Sequence, residues 1–387
     1  MMSQTKVGLN LTKSILFLTG TRADYGKLKP LISIVESLEE FDLNIFVTGM
    51  HTLSRYGSTY MEIEEDGFSD YLYVLINQIY DESMDLILAN TIIGLSRYVH
   101  ENPVDMIIIH GDRLESLAGA IVGSFRNILV CHIEGGERSG TLDELLRHAI
   151  TKLSHKHLVA NAEAAKRVRQ LGENPSSIHE IGSPETDAML SESLPSIEEV
   201  KKRYEIKFKK YSILIFHPVT TESKQFYNVV QNLVNAVIKS NLNYVVIYPN
   251  NDEGSGVILN SYKNKFKDNP NFKLFPSMRF EYYLTLLKNS NFIIGNSSSG
   301  IREAPFYGVK TVNIGTRQSN RYSYQSIINT SYIEEEIINA INKVNNSGKS
   351  EKSRHFGFGN SAEQFAKLIT DEQFWEVDIQ KQFHDLD

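Results

Sequence analysis

The sequence predicts an α/β protein of two doubly wound, Rossmann-like domains facing each other across a cleft. Three observations predict it. Short β-branched runs alternate with helix-period segments, the mark of βαβ units and a mostly parallel sheet. The alternation stops near Pro184 and restarts at Tyr211. Polar residues stand where the apolar strands end, and open α/β sheets bind ligands beyond the carboxyl ends of their strands. A length of 387 residues also suits two domains better than one.

In the first half, strands are expected at Ile15–Thr19, Leu43–Val47, Met106–His110, Ile128–Ile133 and His157–Ala160. Helical patterns separate them at Lys27–Glu39, Ser83–Val99, Leu114–Phe125 and Glu144–Leu153. In the second half, strands are expected at Ile213–Phe216, Tyr244–Tyr248, Phe272–Phe275, Phe292–Ile294 and Thr311–Ile314. The helices there are Phe226–Lys239, Phe280–Lys288 and Ser299–Tyr307. The stretch from Ser191 to Ser196 reads as a linker ending in a helix N-cap, with Glu198 and Glu199 in the first turn. Asn345–Asn360 reads as a surface loop, followed by an amphipathic segment, Ala362–Phe374. The expected division is residues 1–188 and 189–364, with a C-terminal helix at 365–387 packing back on the first domain.

Composition narrows the function. A net charge of −7 without a long basic block argues against sequence-independent nucleic-acid binding. The lone cysteine, Cys131, excludes an intrachain disulfide and a cysteine-based zinc site. The stretch Met1 to Lys13 is polar, and no apolar run reaches membrane-spanning length, so a soluble cytoplasmic protein is expected.

Two segments suit an anion. Thr19-Gly20-Thr21-Arg22-Ala23-Asp24 follows the first strand; Arg22 offers a forked donor and Lys27 lies a turn further on. A plain strand-to-helix turn with solvated cations is the bland alternative. Asn296-Ser297-Ser298-Ser299-Gly300 follows a buried strand, and small residues with a helix start would let a phosphate approach the backbone. A serine N-cap needs only one of those hydroxyls. Glu303 would then sit a turn inside the helix, within reach of a ribose diol, and Arg317 ends the next strand. Neither segment is a dinucleotide fingerprint or a Lys-Ser/Thr phosphate loop.

The candidate acid–base groups are Asp112, Glu134, Asp143 and His217. Carboxylates sharing a cleft push their pKa values apart, leaving one as acid and one as base. Asp143 could equally cap a helix, and capping of the helix that starts near Arg113 is the lesser alternative for Asp112. Glu134, between an apolar strand and Gly135-Gly136, has no such structural task. His217, fixed by Pro218, could protonate a leaving phosphate oxygen or hydrogen-bond it. His110, His132 and His148 read more readily as packing residues, and no His-x-x-x-His pair suggests a metal.

Taken in order, Gly20-Thr21-Arg22-Ala23-Asp24, His110-Gly111-Asp112-Arg113, His132-Ile133-Glu134-Gly135-Gly136, Phe216-His217-Pro218-Val219-Thr220 and Asn296 to Pro305 resemble the UDP-N-acetylglucosamine 2-epimerases. The closest likeness is to the hydrolysing bacterial enzymes of sialic-acid synthesis, and it spans roughly Ile15 to Phe374. The resemblance implies a glycosyltransferase B type fold and conversion of UDP-GlcNAc and water to N-acetylmannosamine and UDP. It implies acid–base roles for Asp112, Glu134, Asp143 and His217, and substrate contacts from Arg22, Lys27, Arg113, Arg279, Ser297, Ser298, Ser299, Gly300 and Glu303. It implies no metal or other cofactor, and a homodimer or tetramer. Non-hydrolysing relatives carry Gly-Gln-His where this chain has Gly49-Met50-His51; Met50 lacks the amide donors of an activating second-substrate site. Rival readings are a 2-epimerase for a UDP-2,4-diacetamido-6-deoxy sugar, a glycosyltransferase of the same fold, and a non-catalytic sugar-nucleotide sensor.

Overall fold

The computed structural model describes residues 12–386 except 81, 141, 220–225 and 251. The polar N-terminal stretch up to residue 11, and Thr220 of the Phe216-to-Thr220 motif, lie outside the described residues. The first sheet has seven parallel strands: β1 (Lys13–Thr19), β2 (Phe41–Val47), β3 (Leu72–Val74), β4 (Met106–His110), β5 (Leu129–Ile133), β6 (Lys156–Val159) and β7 (Ile178–Glu180). Their order is β3-β2-β1-β4-β5-β6-β7. The second sheet has six: β8 (Ser212–Ile215), β9 (Tyr244–Ile247), β10 (Phe272–Phe275), β11 (Phe292–Gly295), β12 (Lys310–Ile314) and β13 (Ile327–Thr330), ordered β10-β9-β8-β11-β12-β13.

The central strands form because both faces are covered by helices, so a continuous apolar run is stable there. Every residue of β4, β5, β8 and β11 is buried. Strands unmarked in the sequence are β3, β7 and β13, all at sheet edges. Their three- and four-residue segments are half-buried to exposed and lack a continuous apolar run. Apolar cores lie on both faces of each sheet, Phe17, Ile45 and Ile108 on one face of the first and Leu16, Phe46 and Ile107 on the other.

Three expectations need correction. The helix expected over Ser299–Tyr307 is instead a 3-10 turn, Ser298–Gly300, and a single α-turn, Glu303–Phe306. Pro305 has no N–H to extend a hydrogen-bond ladder and disfavours helical geometry before it. Gly300 also presses on Thr311, whose methyl would lie 2.6 Å from an added Cβ. Likewise 346–360 is not merely a surface loop. Ser353 and Phe356 are buried, and the Phe356 carbonyl accepts the Ser183 N–H at 2.7 Å. The C-terminal helix expected over 365–387 is instead two short ones, Ser361–Ile369 and Glu372–Trp375; they return the chain to the first sheet, where Phe365, Ile369 and Phe374 share a core with Ile15 and Phe17. Among the described residues no helix is long and apolar enough to cross a membrane.

Candidate active site

Strand order reverses between β1 and β4 in the first sheet and between β8 and β11 in the second, and such switch points are where open α/β sheets hold ligands. The loops leaving these four strands open onto one cavity of about 300 Å³. The first half contributes Arg22, Asp24, Lys27, His110, Asp112, Arg113, Glu134 and Asp143 to its wall. The second half contributes His217, Ser297, Ser298, Ser299, Glu303, Arg317 and Arg321. A second cavity of about 660 Å³ adjoins it, sharing Asp112, Arg113, Asp143, Asn250 and Arg317.

Glu134 is the centre of this wall. It follows β5 in the left-handed region, φ +70°, which a non-glycine residue adopts at a cost of ~1–3 kcal/mol. Gly136 must be glycine, because φ is +75° and an added Cβ would stand 2.2 Å from the Ala164 carbonyl oxygen. The sharp turn places the buried Glu134 carboxylate among cations. Its Oε2 is 2.9 Å from His110 Nε2, and its Oε1 accepts from Arg321 at 2.9 Å and Arg147 at 3.1 Å, with Arg302 at 3.3 Å. Burial pushes Glu134 upward, but Arg302, Lys27 and His110 outweigh it and hold the carboxyl well below the usual range. Glu134 is therefore an anion throughout the neutral range.

Sequence reasoning undervalued His110. It is not a simple packing residue: Nδ1 lies 3.0 Å from Asp24 while Nε2 faces Glu134. Burial disfavours its charged form, yet Glu134 and Asp24 push its pKa up to about 9. His132 does have a structural role, bridging the Gly111 carbonyl at 2.8 Å and the Thr151 hydroxyl at 3.1 Å. His148 faces Glu144 at 3.6 Å, away from the cavity wall.

Asp112 does not cap the helix Leu114–Arg126 but takes a charged hydrogen bond from Arg147. Burial raises its pKa, Asp143 and Glu134 add to the rise, and Arg147 opposes it. The two carboxyls that share Arg147 are thus pushed apart, Glu134 down and Asp112 up. Asp143, in the first turn of Leu142–Leu153, meets Arg317 of the second half at 3.2 Å.

His217 is held in one tautomer. The Asn250 N–H donates to its Nδ1 at 3.1 Å, leaving the proton on Nε2. Asn296 locks the loops after β8 and β11 together, accepting from the His217 N–H at 2.7 Å and donating to its carbonyl at 2.9 Å. Burial, reinforced by Arg317, pulls His217 down to about 3, so it is a neutral N–H donor. This favours the hydrogen-bonding role over protonation.

The remaining sequence candidates divide. Arg22 is aimed by Ser277 at 2.8 Å and by Glu62. Lys27 pairs with Glu185 at 2.8 Å and approaches Glu303 at 3.7 Å. Arg113 pairs with Glu115 at 3.2 Å. Ser297 accepts from the Ser299 N–H at 3.3 Å, and Ser299 meets the Tyr283 hydroxyl. Glu303 begins the one-turn helix, buried but on the cavity wall. Arg279 is not brought there; it pairs with Glu65 at 3.0 Å and Asp66 at 2.7 Å, outside the wall. Gly300 lies beneath the wall rather than on it, packed against Thr311. The sequence reading missed Arg147, Arg302, Arg321 and Glu185. Two of them left a signal: Arg147 lies one helical turn after Asp143, and Arg302 stands inside the Asn296-to-Pro305 segment beside Glu303.

His110, Glu134 and Glu185 place ligand atoms within 4.8 Å of one another. Lys27 and Arg302 already pair with those carboxylates, so the donor set is charge-balanced by cationic side chains.

Two facing doubly wound domains with a polar cleft at their paired switch points define a glycosyltransferase B type α/β protein. The sequence profile of the UDP-N-acetylglucosamine 2-epimerase family matches residues 34–370, and the chain belongs to that family. It is 48% identical to a UDP-N-acetylglucosamine 2-epimerase of Neisseria meningitidis, over 97% of this chain and 99% of that protein. It is 37% identical to polysialic acid biosynthesis protein P7 of Escherichia coli, over 85% of each. A hydrolysing UDP-N,N'-diacetylbacillosamine 2-epimerase of Legionella pneumophila is 33% identical, over 93% of this chain and 96% of that one. Among solved structures, the Methanocaldococcus jannaschii UDP-GlcNAc 2-epimerase in complex with UDP-GlcNAc and UDP has the same fold, with a TM-score of 0.80 over 92% of this chain and 99% of that one at 20% identity.

Proposed function

We propose that this protein is a hydrolysing UDP-N-acetylglucosamine 2-epimerase, converting UDP-GlcNAc and water to N-acetylmannosamine and UDP for sialic-acid synthesis. One observation carries the reading: Asp112, Glu134 and Asp143 of the first half converge with His217 and Ser297–Ser299 of the second on a single cavity. A sugar whose diphosphate is gripped by one domain would meet the carboxylates of the other. Identity of 48% to an epimerase of that name supports the substrate, and 37% to a polysialic acid protein supports the pathway.

The chemistry demands this division. The C2 proton of UDP-GlcNAc is not beside a carbonyl, so it becomes acidic only as the C1–O bond loosens and positive charge builds at C1. Stabilising the departing diphosphate is the first requirement. The Nε2–H of His217, the Ser297–Ser299 turn and Arg22 serve it, while Pro276, Met278 and Phe280 offer an apolar slot for the base. In the α-linked gluco chair the leaving oxygen and H2 are axial on opposite faces, so anti elimination is favoured. Glu134, fixed as an anion, stabilises the charge at C1 and accepts the C2 proton once that charge has built. The product is 2-acetamidoglucal. Water then adds at C1 while a proton returns to C2 on the other face. Asp112, pushed upward, is the carboxyl suited to hold that proton, and Asp143 directs the water and takes the proton it loses on adding to C1.

An NMR time course with UDP-GlcNAc in D2O tests this. UDP, N-acetylmannosamine and deuterium at C2 are expected together. UDP release only on addition of an acceptor, or binding without turnover, would sink the reading. The 33% relative named for UDP-N,N'-diacetylbacillosamine keeps one second reading, decided by kcat/KM on the two sugars. A charged nucleotide sugar as substrate sets the cytoplasm as the compartment. The chain is taken as a homodimer or tetramer, with exposed Leu86, Ile93 and Phe125 on two neighbouring helices as its contact face.

A further inference from the structure

The reaction scheme leaves Arg302 unused. It lies on the second half's loop after β11, yet its side chain is fully buried against the first half. Nε donates to Glu185 Oε1 at 2.6 Å, Nη2 donates to Ser183 Oγ at 2.5 Å, and Nη1 meets Glu137 and lies 3.3 Å from Glu134 Oε1. The guanidinium also lies over the Phe356 ring, 4.4 Å from its centre. A desolvated guanidinium must be paired, and Glu185 with Glu137 would suffice. The contact with Glu134 goes further, because that carboxylate stands on the cavity wall in a strained backbone conformation.

We propose that Arg302 is a positioning residue that reaches across the cleft to fix the Glu134 carboxylate toward the sugar, so that Glu134 is competent only when the two domains are closed. This rests on the role given to Glu134 above. The charged groups facing Glu134 come from every side: His110 from β4, Arg147 from Leu142–Leu153, Lys27 from Arg22–Ser37 and Arg321 beyond β12, with Glu137 and Glu185 as neighbouring anions. Arg302 and Arg321 alone among these cations belong to the second half, and opening of the cleft withdraws both. Arg302 contributes orientation as well as charge, because its fork is held on three other partners.

The test compares Arg302→Lys and Arg302→Met with the unaltered chain in steady-state hydrolysis of UDP-GlcNAc over the acidic pH range. In Arg302→Met, kcat is expected to fall ~100-fold through misplacement of the carboxylate, with KM nearly unchanged. Removing one neighbouring cation also raises the pKa of Glu134. The acidic limb of kcat, lost as Glu134 protonates, therefore moves to higher pH by ~1 or more. Arg302→Lys keeps the charge but not the fork, so it recovers part of kcat and shows a smaller displacement. A loss confined to KM, or an acidic limb that stays in place, overturns the proposal. Where Arg302→Met does not fold, the limb of Arg302→Lys decides alone. Absence of turnover in the unaltered chain removes both this inference and the function it rests on. Turnover there with an unmoved limb in the variants removes this inference alone.

Discussion

Changing Glu134 to Gln should silence the enzyme and discharge His110 in the same step. His110 sits 3.0 Å from Asp24 and 2.9 Å from Glu134, and its pKa stands at about 9 against an ordinary 6.5. The difference is worth ~3 kcal/mol of linkage, and the ring is buried, so solvent screening takes little from it. The sign is that of a raised histidine. The added stability is complete below pH 6.5 and is lost as pH climbs through about 9. Among the influences that raise His110, Glu134 is the largest. Glutamine keeps the shape but removes that charge, so the histidine should titrate lower by ~1–3 pH values. The ring proton signal of His110 followed against pH, assigned by comparison with His110→Gln, reads this directly. Turnover of UDP-GlcNAc should drop by ~10²–10⁴ in the same protein. A His110 that titrates at or below its ordinary value in the unaltered chain, or that does not respond to Glu134→Gln, refutes the electrostatic reasoning. Near-normal turnover removes Glu134 from the mechanism.

His217→Asn should cost ~10²–10³ in kcat by deleting one donor to the leaving diphosphate. Because His217 is neutral down to about pH 3, its removal should abolish no limb of the pH profile near neutrality; a limb lost in the variant counts against the tautomer assigned. For assembly, Leu86, Ile93 and Phe125 are 53%, 50% and 82% exposed. Ile93→Glu combined with Phe125→Glu should convert an oligomer to a monomer in sedimentation velocity, and a monomeric unaltered chain refutes that surface assignment.

The sheets were legible because their central strands are buried on both faces, so apolar runs such as Met106–Ile109 and Ile213–Phe216 mark them without help from partners. Positions immediately after such runs were legible for the same reason: once a strand is located, so is its carboxyl end. That is how Asp112, Glu134 and His217 stood out. Edge strands such as β13 escaped because an exposed edge carries no continuous apolar signal. Arg302 and Arg321 escaped because their partners in the first half lie 117 to 187 positions away, and only packing of the second half on the first brings them to Glu134. His110 was misjudged for a related reason. A histidine at the end of a buried strand looks alike whether it meets an amide or two carboxylates, and the second carboxylate, Asp24, arrives from the first turn of the helix Arg22–Ser37. Local sequence therefore placed the anions and left their counter-charges unseen.

That asymmetry bears on why the site is built as it is. A buried cluster of alternating charge gives little net stability relative to apolar packing of similar volume. A left-handed glutamate adds strain of its own. The two meet at Glu134, on the cavity wall and one strand away from the switch point of the sheet. Stability alone would favour glycine at position 134 and aliphatic residues for its neighbours. The arrangement makes sense once two carboxyls, Asp112 and Glu134, have to share a cleft and yet differ in proton affinity. Arg147 bridges both and cannot separate them by itself. The separation comes from the added cations on Glu134: Arg302 and Arg321 from the opposite domain, with Lys27 and His110 from its own. In this architecture the first domain starts the separation of acid from base, and the cations reaching in from the second domain widen it.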